Sequence, residues 1–330
     1  MSRFLIGIRV ANYLGAGEGH LNRCVNIRKH IKHSVIWFLD KKEKKILTFY
    51  PKDRVCIELD KSKLDKSITE CNKKKISLML VDSYAIKKSA LEKLNKKVFT
   101  SLIIDSYKNT FANIIISPQS LKLKKLKKII YLIGTKFAPV NFIKGKNLKK
   151  KNSILVSMGM YDSKGITLKI VKVLIKNYKK NCINFDTIIT LGKKSPFLKK
   201  IKEEIKSYKN KIHLKVDAKR MDLIYEKSLF AIGAPGLSHL ERLATGVPSI
   251  LVAQNKNHNL LVDSWNVKDC SISCKNNITS IEKAIFKMLK EKNLREKIIK
   301  QGLKAVDGKG AIRIANEIDK FLINNKRANT

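Results

Sequence analysis

A buried strand that runs directly into a glycine-rich turn and then into a helix is the junction that most constrains this chain. The apolar run Phe4 to Val10 is followed by Gly15-Ala16-Gly17-Glu18-Gly19-His20-Leu21-Asn22-Arg23, which opens a helix-like segment reaching about His33. Glycines let backbone approach a ligand closely, and the unpaired N–H groups of a helix start attract anions such as phosphate or carboxylate. A tight turn without a ligand would satisfy the same glycines. His20 argues for more, because an imidazole in the first turn of a helix packs poorly and accepts a proton near neutrality. The loop therefore predicts a nucleotide-type ligand with a proton acceptor beside it.

Gly15, Gly17 and Asp40, the last following Ile36-Trp37-Phe38-Leu39, approach a dinucleotide fingerprint. The third glycine of that pattern must be small for helix-to-strand packing, and His20 occupies it. A nicotinamide or flavin oxidoreductase becomes the minor alternative, and no cofactor is expected.

Beyond the first junction, strand-like and helix-like runs alternate. Strands are expected at Val35 to Leu39, Ile46 to Tyr50, Ser77 to Val81, Phe99 to Ile104 and Ile114 to Ile116, with a helix over Ala85 to Lys96. The polar stretch Lys144 to Asn152 has no apolar periodicity and is the candidate linker. The second half restarts at Ser153 to Gly159, continues with a helix near Gly165 to Tyr178, and offers strands at Asp186 to Leu191, Ile212 to Val216 and Leu229 to Ile232. Its tail, from Ile278 to Asn324, reads as helical, and the final helix is placed to pack back on the first domain. Such alternation implies parallel sheets with helices on their faces. The expectation is an α/β chain of two Rossmann-like domains, 1–147 and 148–330, with ligands at the carboxyl ends of the strands in an interdomain cleft.

At 330 residues, 44% of them hydrophobic, the chain is long enough for two cores, and its apolar runs are too short for a membrane helix. Phe4 follows the start so closely that no signal peptide is read there, which makes a cytoplasmic protein the natural expectation. The six cysteines are scattered, with neither metal spacing nor a disulfide framework. The formal charge of +43 comes mostly from lysines spread over the whole chain rather than from arginine forks or an aromatic-interleaved basic motif. That distribution argues against nucleic acid as a partner. The run Leu121 to Ile130, mixing lysine with apolar residues, is either a solvated basic face or a peripheral contact with acidic lipid.

A second glycine-bearing junction lies at Ala231-Ile-Gly233-Ala-Pro-Gly236-Leu-Ser238-His-Leu-Glu241-Arg-Leu-Ala-Thr-Gly246-Val-Pro248. A strand ends at Ile232, a short helix stops at Gly246, and Pro248 starts another strand, with Gly and Pro in their usual stop positions. N–H groups around Gly236, Leu237 and Ser238 suit a diphosphate, while Glu241 suits the two hydroxyls of a ribose. His239 and His258 are local candidates for phosphate or sugar contact.

Taken together, these residues resemble the family of UDP-2,4-diacetamido-2,4,6-trideoxy-β-L-altropyranose hydrolases of pseudaminic acid biosynthesis and its spore-coat-polysaccharide relatives, which resembles glycosyltransferases of the two-domain GT-B fold. The family's arginine, Gly-x-Gly-His and following arginine fall on Arg9, Gly17, Gly19, His20 and Arg23. Leu80-Val81-Asp82-Ser83-Tyr84 is similar to its strand-end Asp-x-Tyr, and Gly134 to Phe142 to its Gly-x-x-Tyr segment. Met158-Gly159-Met160-Tyr161-Asp162 is similar to its Gly-Gly-x-Asp loop, and Glu241 to Pro248 to its nucleotide-binding helix. The chain departs at Ala11, Asp105-Ser106, Met160, Asn141, Gly165 and Asn257-His258.

The resemblance implies release of UDP from an amino-deoxy sugar nucleotide by water, with inversion and without a metal, in a pathway that feeds cell-surface and flagellin glycosylation. His20 would be the general base and Tyr84 its catalytic neighbour. Arg9, Gly17, Gly19, Asp82, Gly159, Gly236, Leu237, Ser238, Glu241 and Asn257 would bind the UDP-sugar. A GT-B glycosyltransferase with a UDP-sugar donor and a nucleotide-sugar binding protein without turnover are the alternatives, and RNA binding is a more distant one.

Overall fold

The structure, a computed structural model, describes residues 4–13, 16, 18–105, 111–119, 126–140 and 152–327. The expected linker therefore lies outside the described residues except for Asn152, as do Ser106 and Asn141. The chain divides into two compact units, one of Met1–Asn141 with Gly308–Thr330 and one of Phe142–Asp307.

The first unit is built on a seven-stranded parallel sheet in the order β3-β2-β1-β4-β5-β6-β7. Its strands are β1 (Leu5–Val10), β2 (Ser34–Leu39), β3 (Arg54–Ile57), β4 (Leu78–Asp82), β5 (Phe99–Ile103), β6 (Ile114–Ser117) and β7 (Ile130–Ile133). The central strands are covered on both faces, so β4, Leu-Met-Leu-Val-Asp, is buried at every residue and shows no polar alternation. Helices α1 (Glu18–Arg28), α2 (Lys44–Phe49), α3 (Asp65–Lys74) and α4 (Lys88–Asn95) connect the strands.

The last helix of the chain, α12 (Gly310–Arg327), belongs to this unit. Ala311, Ile314, Ala315, Ile318 and Leu322 form one stripe at helical spacing and join the core of Leu21, Cys24 and Ile27 from α1. Burying such an isoleucine or leucine is worth about 1.5–3 kcal/mol over leaving it in water.

The second unit carries a six-stranded parallel sheet in the order β10-β9-β8-β11-β12-β13. These strands are β8 (Ser153–Ser157), β9 (Asp186–Leu191), β10 (Ile212–Val216), β11 (Ser228–Gly233), β12 (Ser249–Val252) and β13 (Ile272–Cys274). Around them pack α5 (Ile166–Lys179), α6 (Leu198–Glu204), α7 (Met221–Lys227), α8 (Leu237–Ala244), α9 (Lys256–Val267), α10 (Ile278–Lys290) and α11 (Lys292–Ala305). The α/β class and the two parallel sheets are those expected from the alternating pattern.

One expected strand is a helix. Ile46 to Tyr50 lies in and just beyond α2, where Tyr50 N–H donates to the Ile46 carbonyl at 2.8 Å and the next strand waits until Arg54. Of that apolar run, Ile46 is buried while Phe49 is 68% exposed, the one-sided burial of a short surface helix. In the lysine-rich run, residues 121–125 lie outside the described part; Leu126, Lys127, Lys128 and Ile130 are exposed at the entry to the edge strand β7. Among the described residues, no helix is long and apolar enough to cross a membrane.

Gly310 shows how closely α12 docks: a Cβ there would lie 2.1 Å from the Ala138 carbonyl oxygen and 2.5 Å from its nitrogen. Gly310→Ala is therefore expected to destabilise the first unit by about 2 kcal/mol through overpacking, read as a lowered denaturant midpoint at unchanged slope.

Candidate functional site

In the first unit the polar chemistry gathers where the strands end. β1 delivers Arg9, β4 ends on Asp82, Asp105 follows β5, and α1 places His20 and Arg23 three residues apart on one face. His20 Nδ1 lies 2.6 Å from Asp82 Oδ1. Arg23 grips the same carboxylate through Nε and through Nη2, the latter at 2.6 Å, and reaches Asp105 through Nη1 at 2.8 and 2.9 Å.

Asp82 is wholly buried. Burial alone would raise its pKa, but the Arg23 guanidinium and the hydrogen bonds from Arg23 and His20 outweigh it and hold the group below the ordinary carboxylate range. An ionised carboxylate only accepts hydrogen bonds, so His20 Nδ1 must be the donor. In the neutral ring the lone pair is then on Nε2. Burial opposes the charge on Arg23 too, and the two aspartates more than restore it. The Tyr84 ring stands edge-on to His20 with centroids 4.5 Å apart, and Tyr84 is 47% exposed.

Two residues expected to touch substrate are engaged inside the fold. Asp82 has both oxygens occupied by His20 and Arg23, so it orients the imidazole rather than facing a ligand. Arg9 has no exposed surface; its Nη2 binds Asp40 at 2.6 Å and its Nη1 donates to the Val10 carbonyl. Asp40 also accepts from Asn12 N–H at 2.8 Å, so the acid that would hold a ribose in a dinucleotide site is spent on joining the ends of β1 and β2. Gly19 is in the first turn of α1 with open space at its Cβ position, and Gly17 lies outside the described residues.

In the second unit, Gly159 follows β8 with φ +98° and open space beside it, a conformation that favours glycine. β11 gives way to Ala234-Pro235-Gly236, and α8 begins at Leu237 with Gly236 at its N-cap and no side chain capping it. Leu237 and Ser238 are half-buried in its first turn. Glu241, one turn on, accepts a hydrogen bond from the Tyr225 hydroxyl at 2.9 Å, and burial raises it to about 7. Gln254, after β12, donates to the Met158 carbonyl and ties the third strand end to the first. Asn257 lies in the first turn of α9, with its side chain outside the described part.

His239 is not at the surface. It is fully buried with its ring edge-on to Trp265 at 5.2 Å, and burial and the nearby Arg242 hold its pKa well below the usual value. Tyr225 and the Arg23–Asp105 contact escaped the sequence reading. The second was traceable in principle, since Arg23 shares a helix face with His20 and Asp105 lies just beyond the strand adjacent to that of Asp82. Among the described residues, no group of three or more His, Cys, Asp or Glu side chains is placed to hold a metal ion.

No protein-family model and no curated protein matches this chain. Solved structures do. The chain is similar to MnaA from S. aureus in a co-structure with UDP, at 13% identity and TM-score 0.72 over 97% of both chains. A putative UDP-N-acetylglucosamine 2-epimerase from Listeria monocytogenes gives 13% identity and TM-score 0.71 over 95% of both chains. MurG from Acinetobacter baumannii gives 12% identity and TM-score 0.66 over 96% of this chain and 99% of that one. At such identities the likeness is one of fold, and the fold is the α/β GT-B type with two Rossmann-like units.

Glu241 makes a pH prediction. Its folded pKa, about 7, lies above the ordinary value of 4.5, so the folded state holds the proton more tightly and this contribution is full below 4.5 and lost as pH rises through about 7. Thermal unfolding at pH 5 and pH 8 is expected to show a smaller fall in Tm for Glu241→Gln than for the wild-type protein.

Proposed function

We propose that the chain hydrolyses a UDP-linked amino-deoxy sugar, releasing UDP and the free sugar with inversion. The observation that carries this reading is the buried Asp82 carboxylate on His20 Nδ1, which leaves Nε2 as the base of the neutral ring. Water attacks the anomeric carbon, His20 Nε2 takes its proton, and the bond to the departing diphosphate breaks. The Tyr84 hydroxyl, on a half-exposed ring beside the imidazole, orients the water or the sugar.

The nucleotide is assigned to the second unit. Gly236, Leu237 and Ser238 offer the uncapped start of α8 to the diphosphate, and Glu241 accepts the ribose hydroxyls while Tyr225 fixes its other side. Gly159 gives the neighbouring strand end an open approach. Support for UDP comes from the fold neighbours, of which one is a UDP co-structure and another is described as bound to UDP-GlcNAc. A cytoplasmic place in nonulosonate biosynthesis of the pseudaminic acid type follows from the motif resemblance.

Transfer of the sugar to an alcohol acceptor is the second reading, favoured by the glycosyltransferase from Rickettsia africae among the fold neighbours, at 17% identity and TM-score 0.67. Labelled UDP-sugars incubated with and without acceptor separate the two, because only hydrolysis yields free sugar at full rate in water alone.

His20→Ala is expected to lower kcat for UDP release by about 10²–10⁴-fold while UDP affinity, measured calorimetrically, stays within about twofold. Asp82→Asn is expected to lower kcat by at least about 10²-fold, since an amide can present its donor to Nδ1 and favour the wrong tautomer. Undiminished release by the His20 variant on a panel of UDP-linked amino sugars would remove the imidazole from the mechanism.

A further inference from the structure

Arg242, in α8, carries a charge buried inside the second unit. It is fully buried, its Nε donates to Ser249 Oγ at 2.9 Å, and its Nη2 donates to the Ala234 carbonyl at 2.9 Å. Nη1 is buried with no hydrogen-bond partner. Among the described residues, no carboxylate lies within 4.0 Å of this guanidinium.

Its position is fixed by a glycine. A Cβ on Gly233 would lie 2.8 Å from Nη1, 3.1 Å from Cζ and 2.6 Å from the Ser157 carbonyl oxygen. The guanidinium therefore rests against the carboxyl ends of β8 and β11, at the root of the Ala234–Gly236 turn that leads into the uncapped start of α8. An arginine stays protonated in a protein, and a buried charge without a counter-ion is costly unless something supplies one. Glu241 is the acid whose charge acts on it, but burial raises Glu241 to about 7, so near neutrality it supplies only part of a counter-charge.

We infer that Arg242 is the buried counter-charge for the diphosphate of the nucleotide, acting through the Ala234–Gly236 turn without touching the ligand. It is a positioning residue in two senses: it holds the Ala234 carbonyl, and it adds a fixed positive charge behind the helix start. This rests on the assignment of UDP to the second unit.

Calorimetric titration with UDP and with uridine tests it on the wild-type protein, Arg242→Gln, Arg242→Lys and Ser249→Ala. The wild-type protein is expected to bind UDP more tightly than uridine. Arg242→Gln should lose at least about tenfold in UDP affinity with uridine affinity changed less than about twofold, the mark of a lost charge. Ser249→Ala, which removes one hydrogen bond and keeps the charge, should leave the UDP-to-uridine ratio unchanged. If Arg242→Gln does not fold, Arg242→Lys decides, since it keeps the charge without the paired bonds and should hold that ratio within about threefold. Equal losses for UDP and uridine in the Gln variant, or collapse of the ratio in Ser249→Ala or Arg242→Lys, would show a scaffold role only and overturn the inference. Wild-type protein that binds neither ligand would overturn the nucleotide assignment itself, and the inference with it.

Discussion

The carboxylate of Asp82 is the interaction on which the first unit's polar end depends. It is fully buried, yet it stays ionised because Arg23 and His20 fill it. Removing one partner of such a buried pair typically costs about 3–5 kcal/mol, since the other charge is stranded. The contact does two things at once. It locks α1 against the end of β4, and through Arg23 against Asp105 beyond β5, and it decides which ring nitrogen of His20 carries a proton. Asp82 is the carboxylate on the ring, and Asp105 bonds the far side of the Arg23 guanidinium.

The two units share one strand order over six strands, with β7 added at the edge of the first. Both gather their polar residues at the carboxyl ends of parallel strands, as open α/β sheets do. In the first unit those ends carry Asp40, Asp82 and Asp105, an acidic set whose cations are internal. In the second, the ends carry glycines, a bare helix start and a buried arginine, with Glu241 as a half-buried acid. The first environment suits a proton acceptor and the second a diphosphate.

Much of this was legible in the residues. Alternating apolar runs gave the α/β class and most strands, and the two glycine junctions located both polar strand ends. What failed did so for physical reasons. Ile46 to Tyr50 has the composition of a strand over a length at which strand and helix periods are hard to tell apart. Arg9 and Asp82 are polar residues in strand sequence, and only tertiary pairing shows that Asp40 and Arg23 consume them. His239 sits in a polar-looking segment but faces Trp265, 26 positions away in the chain. Tyr225 was silent because nothing local marks a hydroxyl whose acceptor is on the next helix but one strand away.

The place of α12 has a consequence for how the protein is made. The first 141 residues lack the apolar stripe of Ala311, Ile314, Ile318 and Leu322 that completes their core. During synthesis the amino-terminal sheet must therefore wait, with one greasy flank uncovered, while the ribosome produces the whole of the other unit. Such a chain closes on itself late and over a long loop, so its nascent form is a natural client for chaperones.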